Sequence, residues 1–362
     1  MLRRSILLAG ALGWPLAGTS LAAPPPDSAL RRRTLVFPRD HGAHPELRTE
    51  WWYVTGQART PGAGGREFGF QVTFFRTRVD ATQSMQSSFA ARQLVFAHAA
   101  ITDVQGRKLW HDQRIAREGF GAAGADVRDA ALTLRDWSLK RRAADGAWLA
   151  RLPGGDFSLD LVFEPTQPLL LQGDQGLSRK GPDPEQASYY YSVPQLAARG
   201  QITLKGQRLD VTGQAWLDHE WSEALLHPDA VGWDWIGMNL LDGSALTAFR
   251  LRSKTGRALW DGGSFRPRAG GVYVFSPGEV VFSPQRVWKS PMSLASYPVE
   301  WIVRTPADFY TVRAVIDNQE LDSRASTGAI YWEGLSELRD SNGRLAGHGY
   351  LEMTGYAQPL RL

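Results

Sequence analysis

Apolar and polar residues alternate along most of the chain, which is the pattern of strands that have one buried face. Positions 68–74 and 157–163 each carry apolar side chains at every second residue. A period of two predicts β-strands, and a glycine turn between the apolar positions 202–204 and 209–211 predicts a hairpin. No long amphipathic helix with capping residues is found, and only a short helical turn is expected within 184–198. The sequence therefore predicts an all-β fold.

Segments of the first half of the chain recur in the same order in the second half. Two matches are strong, sharing the patterns Gly-Arg-x-Leu-Trp and Trp-x-x-Arg-x-Pro, and two are weaker. The matched pairs are 106–110 with 256–260, 148–153 with 301–306, 50–52 with 234–236, and 216–218 with 350–352. Four matches in one order predict a tandem duplication.

The duplication predicts two small β domains, a first at 28–222 and a second at 223–362. Closing each domain into an antiparallel barrel would remove exposed strand edges, and a small barrel can be filled by side chains or hold one small ligand. A sandwich explains the strand spacing nearly as well. The pattern of the residues alone leaves the choice between barrel and sandwich open.

The composition excludes several kinds of chemistry. The chain has 362 residues and no cysteine, so disulfides, thiolate metal sites and a cysteine nucleophile are excluded. It has no Gly-x-Ser-x-Gly motif, so a classical serine hydrolase is not expected. Because a phosphate-binding loop and a dinucleotide fingerprint are also missing, we expect no cofactor.

The N-terminus has the pattern of an export signal. Arg3 and Arg4 precede an apolar stretch at 6–22 that ends in Ser-Leu-Ala, which predicts a signal peptide at 1–22 and a periplasmic or secreted protein. Sec and Tat export both remain open. Cleavage leaves 39 Lys+Arg against 37 Asp+Glu, which does not predict nucleic-acid binding. No other apolar run approaches the length of a membrane span, so we expect no membrane-spanning segment in the mature chain.

Five motifs along the chain resemble those of one protein family. They are Asp-His-Gly-Ala-His-Pro-Glu at 40–46, Arg-Thr-Glu-Trp-Trp-Tyr-Val-Thr-Gly at 48–56, Phe-Gly-Phe-Gln-Val-Thr-Phe-Phe-Arg at 68–76, Trp-Leu-Asp-His-Glu-Trp at 216–221 and Gly-Trp-Asp-Trp at 232–235. Together they resemble the AttH-like proteins, also called predicted secreted hydrolases, which are related to the carotenoid 1,2-hydratases. The resemblance extends from about residue 38 to residue 356. It implies two tandem lipocalin-like β-barrels packed side by side.

The resemblance also implies what the protein binds. The wider family includes hydratases that add water to a carotenoid C=C bond and fungal cyclases that fold polyenes, and other members are associated with ABC-transporter permeases. A lipophilic small molecule and an inner-membrane ABC transporter are therefore the implied partners. Two functions stay open, a hydratase or isomerase that protonates a C=C bond and a non-catalytic periplasmic carrier or accessory factor. A third possibility is that both barrels are filled and that the protein acts only through its surface.

Hydration of an alkene needs a proton donor and aromatic faces that stabilise a transient cation. The resemblance implies that the His-x-Trp pair of the hydratases corresponds to His219 and Trp221, and Asp234 between two tryptophans is a candidate for the acid. We therefore predict His219, Trp221 and Asp234 as catalytic residues. The residues predicted to line the ligand are Trp233, Trp235, Glu220, Asp218, Trp52 and Glu50. In an extended segment, successive residues of 218–221 point to alternate faces.

These residues also have structural interpretations. His219 can be a core histidine with satisfied hydrogen bonds, and Trp221 can be a core aromatic, as most tryptophans in small barrels are. Asp218 matches a glutamate in the second repeat, so it can serve the barrel by pairing with an arginine such as Arg76 or Arg250.

Two further groups of charged and histidine residues lie near the N-terminus. Glu50 is expected to form an ion pair with Arg48 near the barrel entrance. His41, His44 and Glu46 have a spacing that could bind a metal ion, but a Gly/Pro loop does not provide the fixed face that a helix offers. We therefore predict no metal site.

Overall fold

The computed structural model describes residues 30–224 and 226–360. Regular structure in these residues is almost entirely antiparallel β-sheet, with short 3₁₀ helices at Arg39–His41 and Asp80–Thr82. The prediction of an all-β fold is confirmed. The predicted signal peptide lies outside the described residues. Within the described ranges, no helix is long and apolar enough to cross a lipid bilayer.

The first sheet contains thirteen strands and forms a nearly closed barrel around one apolar core. Its strands are β1 (Thr49–Arg59), β2 (Glu67–Arg78), β3 (Gln93–Asp103), β4 (Lys108–Arg117), β5 (Ala123–Ala125), β6 (Ala131–Leu134), β7 (Trp137–Arg141), β8 (Trp148–Leu152), β9 (Phe157–Glu164), β10 (Leu170–Leu171), β11 (Leu177–Arg179), β12 (Ala187–Leu204) and β13 (Gln207–Ser222). They pair in the order β4-β3-β2-β1-β13-β12-β9-β8-β7-β6-β5, with β10 and β11 added on β12. The two ends of the sheet, β4 and β5, come close to each other because β5 and β6 contact β3, and this nearly closes the barrel.

The remaining strands form the second barrel around a separate core. They are β14 (Ala230–Leu240), β15 (Ala245–Ser253), β16 (Ala258–Arg266), β17 (Tyr273–Val274), β18 (Val281–Pro284), β19 (Val287–Lys289), β20 (Ser296–Pro298), β21 (Glu300–Arg304), β22 (Phe309–Ala314), β23 (Glu320–Ser323), β24 (Ala329–Arg339) and β25 (Leu345–Met353). The main order is β17-β16-β15-β14-β25-β24-β22-β21-β18, with β23 on β24, and β19 pairs with β20 separately. The two barrels have the lipocalin-like tandem arrangement that the family resemblance implies.

The pair β1–β13 in the first sheet corresponds to the pair β14–β25 in the second. When strands are counted outward from these pairs, three of the four sequence matches lie on strands at the same position in both sheets. The match of 106–110 with 256–260 does not, because the first segment enters β4 and the second enters β16, one strand closer to the centre. The first half has 34 more residues than the second between this match and the preceding one, enough for an additional hairpin.

The helical turn expected within 184–198 is wrong, because β12 starts at Ala187 and continues through these residues. A proline in the middle of a strand lacks the N–H that the ladder needs, so it is tolerated at a bulge. Pro194 lies at such a bulge, where the pairing with β13 shifts between Val193 and Leu196 and Gln195 has a φ of 57°.

The alternation of side chains on the paired strands β1 and β13 separates two environments. Trp52 and its cross-strand partner His219 point into the first barrel, and the next pair along the strands, Tyr53 and Asp218, points outward. The outward face of these strands is covered by β14, β24 and β25 of the second barrel. We call this contact region between the two barrels the seam.

Polar and apolar contacts hold the seam together. The side chain of Asn239 on β14 donates to the carbonyl of Ala215 at 2.9 Å and accepts from the backbone N–H of Gln195 at 2.8 Å. Trp216 and Trp235 meet edge to face with ring centroids 6.5 Å apart. Because both kinds of contact are buried, the two barrels pack as one unit.

Candidate active site

A cavity of about 370 Å³ lies in the seam. The outward faces of β1 to β4 and of β13 form one side, and β14, β15, β24 and β25 form the other. Aromatic side chains contribute much of the lining, namely Trp51, Tyr53, Phe75, Phe96, Tyr190, Trp233, Trp235, Phe249 and Tyr331. A cavity of this size and composition is typical of small-molecule sites.

Four carboxyl side chains also line this cavity, Asp218 and Glu220 from β13, Glu333 from β24 and Glu352 from β25. Among the described lining residues, Lys180 is the single lysine or arginine, and its Nζ lies 2.9 Å from Glu220 Oε1. Burial disfavours an excess of negative charge. Some of these carboxyls must therefore hold protons at neutral pH.

Asp218 is held by three hydrogen-bond donors. Its carboxyl accepts from Tyr190 Oη at 2.8 Å, from Ser192 Oγ at 2.5 Å and from Trp216 Nε1 at 2.8 Å. Burial is the largest influence and raises the pKa of Asp218 to about 7, although the three hydrogen bonds act to lower it. Asp218 is therefore partly protonated near neutral pH.

Glu333 and Glu352 are direct cross-strand partners on β24 and β25. Like charges in this position repel each other. Burial raises the pKa of Glu352 to about 7, and burial together with the neighbouring Glu352 raises the pKa of Glu333 well above its usual range. At neutral pH Glu333 is a neutral acid, and Glu352 is partly protonated.

His219 lies inside the first barrel and does not line the cavity. Its Nε2 is 2.9 Å from Glu50 Oε1, and its Nδ1 is 3.1 Å from the carbonyl oxygen of Asp40. Burial lowers the pKa of His219 to about 4, so the ring is neutral at neutral pH and its single N–H is best directed to the Glu50 carboxylate. Trp52 stacks on the imidazole at 4.5 Å, and Trp221 lies at 4.6 Å. These contacts enclose the histidine.

His44 links two buried carboxylates in the same network. Its Nδ1 is 2.7 Å from Glu50 Oε1, and its Nε2 is 3.0 Å from Asp40 Oδ1. Burial acts to lower the pKa of His44, but these two hydrogen bonds outweigh it and raise the pKa. Burial acts in the opposite sense on Asp40 and Glu50, but their hydrogen bonds hold both pKa values well below the usual range.

Glu50 forms its ion pair with Arg76, at 2.8 Å between Oε2 and Nε, rather than with Arg48 as expected. Arg76 is itself buried and also donates to the carbonyl oxygens of His44 and Leu47. The segment before β1 is thereby attached to the interior of the first barrel. The motif at 40–56 thus builds a buried ionic network.

His44, Glu50 and His219 bring possible metal-ligand atoms within 4.8 Å of one another. Each of these atoms is, however, already within hydrogen-bonding distance of another group, and the guanidinium of Arg76 contacts the same carboxylate. A cation so close would repel a metal ion. The arrangement fits a hydrogen-bonded network better than a metal site.

Asp234 lies inside the second barrel. Its Oδ2 is 2.7 Å from Arg250 Nε and 3.0 Å from Arg252 Nε, and its Oδ1 accepts a hydrogen bond from Tyr356 Oη at 2.9 Å. The carboxyl is fully buried. The expected pairing of Asp218 with Arg76 or Arg250 is therefore wrong, because Arg250 pairs with Asp234 and Arg76 pairs with Glu50.

The nine residues predicted for the site divide between two places. Four of them line the cavity, namely Asp218, Glu220, Trp233 and Trp235. The five that lie inside the barrels are Glu50, Trp52, His219, Trp221 and Asp234. Five further residues that line the cavity were not predicted from the sequence, namely Tyr53, Lys180, Tyr190, Glu333 and Glu352. The sequence does contain one indication of Glu352, because this residue matches Asp218 in the internal repeat.

We expect the stability of the protein to depend on pH in two opposite ways. Asp40 and Glu50 have lowered pKa values, so the stability that they contribute is present above an unfolded-state pKa of about 4 and is lost as the pH falls. Asp218 and Glu352 titrate at about 7 in the folded state, so their contribution is present below an unfolded-state pKa of about 4 and is lost as the pH rises towards 7. The free energy of unfolding should therefore be greatest at mildly acidic pH.

Urea unfolding measured over a range of pH tests this expectation. A variant combining Asp218→Asn with Glu352→Gln should lose the part of the decline between mildly acidic and neutral pH that these two carboxyls cause, and Glu333, whose pKa is also raised, should keep the remainder. An unchanged decline in this variant would contradict the assignment to these two carboxyls.

Comparison with known proteins gives one family and several similar structures. The family model described as AttH-like matches residues 28–356. An AttH-type protein from Nitrosomonas europaea is 46% identical with a TM-score of 0.84, and the match covers 91% of this chain and 99% of that chain. No curated protein matches the chain.

Two more distant structures share the fold. Kievitone hydratase from Nectria haematococca is 13% identical with a TM-score of 0.66, covering 85% of this chain and 89% of that chain. CghA with Sch210972 is 13% identical with a TM-score of 0.53, covering 85% and 88%. The family match over most of the sequence and the close agreement with the Nitrosomonas protein show that this chain belongs to the AttH-like family.

Proposed function

We propose that the protein binds an apolar, unsaturated small molecule in the seam cavity and transfers a proton to it, so that a C=C bond is hydrated or isomerised. The observation that carries this proposal is a group of carboxyls with raised pKa values among aromatic side chains. A proton donor works best when its pKa is near the working pH. Aromatic rings such as those of Trp51 and Trp235 would stabilise a developing cation.

Glu352 is the best candidate for the proton donor. It is a cross-strand partner of both Trp235 and Glu333, so its carboxyl lies between an aromatic wall and a second acid. Asp218 also has a pKa of about 7, but three fixed donors occupy its oxygens and favour its carboxylate form. Asp218 would instead supply negative charge near a cationic intermediate.

A non-catalytic carrier of lipophilic cargo is the alternative, and the aromatic lining of the cavity would suit it. The four carboxyls favour the enzyme, because burying acids costs free energy and gives an apolar cargo nothing to bind. One of the proteins that share the fold is named a hydratase, kievitone hydratase. Export by the predicted signal and cooperation with an ABC transporter remain predictions from the sequence.

Incubation with an acyclic sesquiterpene such as farnesene in heavy water tests the proposal. Proton transfer from Glu352 should place deuterium on carbon, in a hydrated or isomerised product that mass spectrometry detects. Bound farnesene recovered unchanged and without deuterium would contradict the enzyme and support the carrier. Absence of binding would contradict both.

A further inference from the structure

One ammonium group is already bound in the wall of the seam cavity, that of Lys180. Its Nζ lies 2.9 Å from Glu220 Oε1, and it sits over the rings of Phe249 at 4.2 Å and Tyr190 at 4.8 Å. Aromatic faces, here joined by a carboxylate, are what proteins use to recognise organic ammonium ions. Lys180 thus shows that side chains of this cavity can hold an organic cation.

A second carboxyl in the cavity has aromatic surroundings of the same kind, but no cation from the described residues. Glu352 on β25 is the cross-strand partner of Trp235, and Trp233, two residues before Trp235 on β14, points to the same face. Trp51 on β1 lines the cavity from the first barrel. Glu352, Trp233 and Trp51 are each only partly buried, so a ligand in the cavity can reach them.

The charges around Glu352 favour a cation at this place. Burial raises the pKa of Glu352 to about 7, and the carboxyls of Asp218 and Glu220 act in the same direction. The charge of Lys180 is already paired with Glu220. The other titratable side chains that interact with Glu352 are neutral at neutral pH, namely Tyr53, Tyr331 and Glu333. Near neutral pH the partial negative charge of Glu352 therefore has no counter-charge among the described side chains.

We propose that the seam cavity binds a lipophilic ammonium ion, with the charged group held between Glu352 and the indole rings of Trp233 and Trp235. The inference goes beyond the proposed function, because it names a further class of ligand and requires no reaction. The carboxylate supplies the counter-charge, the ring faces attract the cation, and the apolar remainder of the cavity accepts the hydrocarbon part. A bound ammonium ion would hold Glu352 as a carboxylate, so it would also block the proposed proton transfer.

Binding of two matched probes to the full chain tests this inference. The first is the benzyltrimethylammonium ion, and the second is neopentylbenzene, in which a carbon atom replaces the nitrogen and the charge is absent. An apolar cavity without a cation site would prefer the hydrocarbon, which leaves water more readily. We expect the ammonium ion to bind about 10-fold more tightly or better. Quenching of tryptophan fluorescence measures both affinities.

Proton release on binding gives a second measurement. Because its pKa is about 7, Glu352 is about half protonated at pH 7, and a cation bound beside it favours the carboxylate. Calorimetric titrations at pH 7 in phosphate and in Tris, which differ in their heats of ionisation, should therefore show release of about half a proton or more for each ammonium ion bound. Binding of neopentylbenzene should release none.

Variants then assign the preference to these residues. Glu352→Gln should lose most of the preference for the ammonium ion and the proton release, since an amide keeps the shape of the side chain but not its charge. Trp233→Leu should weaken binding of the ammonium ion more than that of the hydrocarbon. Trp260→Leu is the matched control, because Trp260 is a partly buried tryptophan that packs against the same apolar cluster as Trp233 but does not line the cavity.

The outcomes separate this inference from the proposed function. Equal or weaker binding of the ammonium ion by the wild-type protein, or binding without proton release, would overturn the inference, while deuterium in a product of farnesene would still uphold the proposed function. Tighter binding of the ammonium ion, with farnesene recovered unchanged, would uphold the inference and contradict the enzyme. An unchanged preference in Glu352→Gln would overturn the placement of the charged group. The wild-type comparison stands even if a variant fails to fold.

Discussion

Replacing Glu50 by glutamine is expected to lower the free energy of unfolding by about 3 to 5 kcal/mol, because the substitution leaves the buried guanidinium of Arg76 without its counter-charge. Glu50 is fully buried and contacts Arg76, His44 and His219 within 2.9 Å. Glutamine keeps the shape of the side chain but not its charge. Equilibrium unfolding in urea measures the loss.

Glu164→Gln provides the control for this measurement. Glu164 also forms an ion pair, with Arg199 at 2.7 Å, but both side chains are exposed to solvent. Solvent screens such a pair, so we expect no measurable change in stability. If Glu50→Gln lost as little stability as Glu164→Gln, the motif at 40–56 would not serve as a structural network.

Replacing Glu352 by glutamine is expected to lower turnover by about 10²-fold or more, because the variant has no carboxyl proton to transfer. The stability should stay the same or increase, since glutamine removes the like-charge contact with Glu333 on the adjacent strand. Product formation from farnesene and unfolding in urea measure the two effects. Loss of activity without loss of stability distinguishes a reacting group from a structural one.

Glu337→Gln is the matched control for Glu352→Gln. Glu337 lies on β24 like Glu333, pairs with Arg339 at 2.7 Å and does not line the cavity. Its replacement should leave turnover unchanged. Full activity in Glu352→Gln would assign the proton transfer to another group, and equal losses in both variants would indicate a general effect on the second barrel.

The candidate site was only partly predictable from sequence. The sequence points to the segment at 218–221, and its alternation predicts that Asp218 and Glu220 point away from His219 and Trp221. Alternation does not say which face of the segment meets a ligand. In the structure the face with the histidine is closed by the ionic network around Glu50, and the opposite face opens on the cavity.

Glu333 and Glu352 show why other residues were missed. In sequence each is an acid between mostly apolar neighbours, which gives no indication of a partner. Their contact arises from the pairing of β24 with β25, and their burial arises from the packing of β1 and β2 on these strands. Tyr53 acquires its place opposite Glu333 in the same way.

By itself, the sequence determined the all-β class, the strand alternation and the family, because these depend on local periodicity and on motifs that stay together along the chain. Only the tertiary structure decided which face of these strands lines the cavity. The outward face of a barrel strand carries polar or aromatic residues whether or not another domain covers it. Packing of the second barrel removes that face from water, and removal from water is what raises the pKa values of Asp218, Glu333 and Glu352.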